Sequence, residues 1–196
     1  ITLLSPSLNI HFHLKLLQYN HSDLVPSVQL FIFVGGVQNI ANFTLKIGSK
    51  IIDSEQIYTI SDIKNDVIYY KSDDNCSCSI PVKNLSIACI RPLMSKEDIT
   101  LIFKNLSEKE SLNPPSTTKN NQNNNNYFGE ILYSNNPSKI CKLLVYFNQL
   151  EKNAVLTKSD QVIYDRALNH LANEISVVSK VPLNLTKNKI LSIMGK

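Results

Sequence analysis

The sequence predicts a mostly β protein, an immunoglobulin-like β-sandwich over residues 1–106 followed by a small α+β subdomain over residues 127–196. Two observations predict it. Through the first half, short apolar segments recur about every 8–12 residues, divided by Asp, Asn, Ser, Lys and Pro, the spacing of a sandwich or barrel. The second half changes texture and carries one long segment with apolar residues at three- and four-residue steps, the period of a helix lying on a sheet.

From Leu8 the chain alternates strictly. Leu8, Ile10, Phe12, Leu14 and Leu16 share one face, with Asn9, His11, His13 and Lys15 on the other, as in a half-buried strand. Val28 to Val34 is an apolar run with β-branched and aromatic members, suited to a strand buried on both faces and ended by Gly35-Gly36. Phe43, Leu45 and Ile47 alternate with Asn42, Thr44 and Lys46 before a turn at Gly48. Ile51-Ile52, Ile57 to Ile60, Val67 to Tyr70, Cys78 to Val82, Leu85 to Ile90 and Ile99 to Phe103 supply the remaining strands.

Residues 107–126 contain Pro114-Pro115, an Asn tract and one apolar residue, Leu112, too little burial to offset the entropy of ordering them. They read as a disordered Asn-rich linker or loop. Beyond it, Tyr127 to Tyr133 and Ile140 to Phe147 read as two strands across the turn Ser134-Asn135-Asn136-Pro137-Ser138-Lys139. Thr157 to Lys180 reads as a helix with Tyr164, Ala167, Leu168, Leu171, Ile175 and Val178 in one stripe. Thr157 or Ser159 caps its start, Asp160 suits the first turn, and Pro182 lies past its end. Thr186 to Met194 forms a short last helix with Ile190, Leu191 and Met194 inward.

Charge and motif content exclude several function classes. The 20 Lys+Arg and 16 Asp+Glu residues give +4, and the basic residues are scattered singly, whereas phosphate binding needs a dense basic face; no nucleic-acid partner is expected. The longest apolar run, near Val28 to Val34, is about seven residues, while a membrane span needs roughly twenty, so no transmembrane segment is expected. The opening residues, from Ile1, have neither a charged leader nor a small-residue cleavage site, and the chain reads as a piece of something longer. Gly35-Gly36, Gly48, Gly129 and Gly195 fit neither the dinucleotide nor the P-loop spacing, and there is no GxSxG elbow. No catalytic residue and no cofactor is nominated.

Cys76, Cys78, Cys89 and Cys141 lack the Cys-x-x-Cys spacing of a zinc loop and read as structural thiols, with a disulfide as the alternative. His11 and His13 could chelate a metal from one strand face, but no third ligand accompanies them, so no metal site is expected. His170 and Glu174 share a helix face without the HExxH order and read as a surface pair. Six glycosylation sequons, at Asn20, Asn42, Asn75, Asn84, Asn105 and Asn184, accompany a chain with 23 Asn, which produces several by chance.

The stretch Val28 to Ile47, in which Val37-Gln38-Asn39-Ile40-Ala41-Asn42-Phe43 introduces an alternating strand, resembles the start of the sandwich in the appendage, or ear, domains of vesicle-coat adaptor large subunits. The resemblance covers about twenty residues; those ears also place a sandwich before a smaller α+β platform, the order read here. It implies a platform whose exposed aromatic and basic side chains capture short linear motifs from disordered partners. Tyr127, Phe128, Tyr133, Tyr146 and Phe147 are the aromatics of the second half able to form that peptide-binding surface, although on alternating strands about half must be core. The expected function is a non-catalytic protein-protein interaction module of a larger trafficking or scaffold subunit, cytoplasmic and membrane-peripheral only through partners. A secreted or cell-surface glycoprotein sandwich and an unrecognised enzyme are the alternatives.

Overall fold

The computed structural model describes residues 12–13, 27–32, 41–85, 88–112, 121–153 and 155–195, the side chains of residues 12–43 and 121–125 excepted. The predicted strand over Leu8 to Leu16 is described only at Phe12–His13, and Gly35-Gly36, His11 and residues 113–120 lie outside the described residues. The chain divides into two compact units, Ile1–Ile51 with Tyr58–Pro92, and Ile52–Ile57 with Leu93–Lys196.

Among the described residues, eight strands form two antiparallel sheets. The first joins β1 (Phe12–His13), β2 (Ser27–Ile32) and β3 (Ala41–Lys46) in that order. The second has β4 (Lys50–Asp53), β5 (Gln56–Lys64), β6 (Val67–Ser72), β7 (Ser77–Pro81) and β8 (Arg91–Pro92) in the order β7-β6-β5-β4-β8. Two-residue turns drive its hairpins. Ser54 and Glu55 (φ 48° and 77°) join β4 to β5, and Asn65 and Asp66 (φ 49° and 59°) join β5 to β6, the paired positive φ values that match the twist of a hairpin. Ile68 and Tyr70 of β6 point inward, Tyr70 meeting Tyr58 edge to face at 5.2 Å. Leu45, Ile51, Ile60, Ile80, Val82, Leu85 and Ile90 complete this core.

The second unit is helical. It contains α1 (Lys96–Glu108), α2 (Asn121–Tyr133), α3 (Pro137–Lys152), α4 (Lys158–Ser179) and α5 (Leu183–Met194). Helix α3 packs on α1, α2 and α4, while α5 packs on α4 and α1. Thr157 starts α4 as predicted, its hydroxyl accepting the Asp160 N–H while the Asp160 carboxylate accepts the Thr157 N–H. The predicted stripe of α4 is buried from Tyr164 to Ile175, with Val178 half-buried. Helix α5 begins three residues before the predicted Thr186.

Helices occupy more of the described chain than strands, so the fold is α+β, and the mostly β expectation of an immunoglobulin-like β-sandwich followed by an α+β subdomain is corrected. Three predicted strands are helices. Ile99 to Phe103 lies in α1, where Ile99, Ile102 and Leu106 face inward and Leu101 faces out. Tyr127 to Tyr133 lies in α2, and Ile140 to Phe147 lies in α3, where burial around most of the circumference erases the polar stripe. Of the predicted strand Leu85 to Ile90, the described residues Leu85, Ala88 and Cys89 are instead turn, after a short 3-10 helix over Val82–Asn84, and residues 86–87 lie outside the described residues. The boundaries shift accordingly: the second unit takes up the chain at Leu93 rather than at residue 127, and the predicted linker 107–126 contributes Ser107-Glu108 to α1 and Asn121–Asn126 to α2.

Candidate functional site

Helices α2 and α3 bring four of the five predicted peptide-binding aromatics into one stack. Phe128 and Phe147 meet edge to face at 5.0 Å, Tyr146 lies 5.6 Å from Phe128 and 5.4 Å from Phe147, and Tyr127 lies 5.6 Å from Phe128. Phe128 and Phe147 are interior and closed to a peptide, while Tyr127 and Tyr146 pack half-buried against the same core. Burial, and then the Asp160 charge, push the Tyr146 phenol above its usual range. Tyr133 stands apart at the end of α2, 63% exposed. It neighbours Arg166, whose guanidinium is held above its usual range first by its hydrogen bond to Glu55 and less by Tyr133.

His170, Glu174 and Cys141, which have the chemistry of catalysis or metal binding, turn inward. His170 and Glu174, expected as a surface pair, are 2% and 0% exposed on the inner face of α4. One oxygen of the Glu174 carboxylate accepts the Met94 N–H at 2.7 Å, fixing the chain as it enters α1. Cys141 is buried on α3 with its thiol directed at the Ile102 carbonyl oxygen, and burial pushes its pKa from 9.0 to about 12, the Glu110 charge adding to the rise and Lys142 opposing it. Cys76, Cys78, Cys89 and Cys141 form no disulfide. Among the described residues, no three His, Cys, Asp or Glu side chains converge as metal ligands would. Among them, too, no helix is long and apolar enough to cross a membrane. Neither protein-family models nor curated proteins match this chain.

The exposed apolar side chains are unevenly distributed. Nine large hydrophobic residues are exposed among the described residues, and three of them, Val181, Leu183 and Leu185, fall within five positions at the corner between α4 and α5. Lys180 closes α4 in a left-handed conformation (φ 55°), and Pro182 opens α5. The inward stripe of α5 is Thr186, Ile190 and Met194, which leaves Leu185 on the outer face one turn before Lys189. The corner is held firmly at the far end of α5, where Asn148 Nδ2 and Lys152 Nζ donate to the Met194 carbonyl at 3.1 and 2.9 Å. Sequence reasoning passed over these three residues. The signal was present, because Val181, Leu183 and Leu185 flank Pro182 and the first and last lie off the stripe defined by Thr186, Ile190 and Met194.

Proposed function

We propose that the chain is a non-catalytic protein-interaction module that docks other polypeptides on the α4–α5 corner. The observation that carries the reading is the concentration of Val181, Leu183 and Leu185 at solvent on two well-anchored helices. Surface hydrophobics scattered singly need no explanation, whereas a cluster costs solubility and suits a surface covered by a partner. The inward turn of His170, Glu174 and Cys141 supports the same reading, since these groups serve the core. Four cysteines outside any disulfide support placement in a reducing compartment such as the cytoplasm. The adaptor-ear resemblance lends no architectural support, because the sandwich and platform it implied are replaced by small sheets and a helical unit.

The test is a photo-cross-linking amino acid placed at Leu185 in the full chain inside its native cells, with Val162, exposed near the start of α4, as the control position. Discrete protein adducts are expected at Leu185, absent at Val162 and lost when Val181→Asp and Leu183→Asp are added. Adducts equally abundant at both positions, or none at Leu185, overturn the reading.

A further inference from the structure

We infer that the partner segment docked on the α4–α5 corner is acidic and amphipathic, presenting Leu-like side chains beside Asp or Glu; the inference rests on the reading above and names the partner's chemistry. Charge carries it. After Glu174 the chain has four lysines, Lys180, Lys187, Lys189 and Lys196, and no Asp or Glu. Two of them frame the apolar cluster. Lys180 is exposed immediately before Val181, and Lys189 is exposed one turn beyond Leu185 on the same face of α5. The Lys189 ammonium sits 4.3 Å from the centre of the Phe103 ring of α1, which restrains the side chain.

The backbone adds to the same field. Helix α5 starts with Pro182 at its N-cap, no side chain caps its first N–H groups, and its first turn contains no acidic residue. Its first turn thus has no acidic side chain beside Leu183 and Leu185, where the chain elsewhere places Asp98 in α1 and Asp160 in α4. Apolar side chains set among cations and a free helix N-terminus fit a segment whose Leu-like residues enter the cluster while its carboxylates meet Lys180, Lys189 and the first N–H groups of α5.

The probe is a fluorescein-labelled peptide composed of Leu and Glu in helical amphipathic order, titrated into the full chain. A Leu/Lys peptide of the same pattern, phosphatidylserine vesicles and duplex DNA are run in parallel. The Leu/Glu peptide is expected to bind and to perturb backbone amide resonances over residues 180–189. Leu183→Asp with Leu185→Asp should weaken it by at least about tenfold. Lys180→Glu with Lys189→Glu should weaken it several-fold and flatten its salt dependence. Thermal melts confirm that each variant is folded, and the resonance map of the unaltered chain decides the matter where one is not.

Equal binding of the Leu/Lys peptide overturns the inference, as does peptide binding that leaves residues 180–189 unperturbed. Vesicles or DNA binding through these residues in place of the Leu/Glu peptide overturn it too. The cross-link at Leu185 separates the two levels. Protein adducts there without Leu/Glu binding overturn the acidic chemistry alone, and the absence of adducts removes the docking module itself.

Discussion

Glu174 shows how burial and hydrogen bonding decide the role of a side chain. The buried Glu174 side chain receives the Met94 N–H, and losing that acceptor leaves a buried donor unsatisfied. Glu174→Ala is expected to destabilise the chain by about 1–3 kcal/mol in urea denaturation, and Glu174→Gln, which keeps an amide oxygen at the same reach, should lose less. Exposure decides the thiols in the same way. Cys76 and Cys89 should be alkylated in the folded protein within minutes, while Cys141, buried and firmly protonated, should react only after denaturation; mass spectrometry of partly labelled protein counts them. Arg166 makes the contrast. Its pair with Glu55 lies at the surface, so Arg166→Ala should change stability by less than about 1 kcal/mol.

Among the elements, helix ends were easier to read than helix types. Thr157 and Asp160 announce α4 because a capping box is a local device, satisfied by residues three apart. The same device, Ser95 with Asp98, starts α1, and Asn136 followed by Pro137 starts α3. Both went unread because the apolar runs behind them, Ile99 to Phe103 and Ile140 to Phe147, satisfy a buried strand and a buried helix equally. Thr157→Ala should therefore cost about 1 kcal/mol, read from the urea midpoint. Lys109, which ends α1 in a left-handed conformation at φ 55°, offers the opposite change: Lys109→Gly should stabilise by about 0.5–1 kcal/mol in the same assay.

For the whole molecule, the proportion of helix separates the observed fold from a sandwich, and far-UV circular dichroism should be dominated by the helical signal. The alkaline limit of stability belongs to this scale as well. Cys141 and Tyr146 both have folded pKa values raised by burial, so between their unfolded and folded values the native state binds more protons than the unfolded chain. Stability should fall as pH rises from 9 toward 12, and Cys141→Ala should reduce that slope; unfolding titrations across the range check both. Sequence alone determined what depends on near neighbours: the cap, stripe and end of α4, and the hairpin strands of the sheet, since caps, turns and a clean two-sided period are local. Tertiary structure alone decided what depends on distant partners. A segment apolar on every side has no period to declare its type, so only the helices around α3 made it a helix. Likewise Glu174 belongs to the interior through partners such as the Met94 N–H, eighty residues away in sequence.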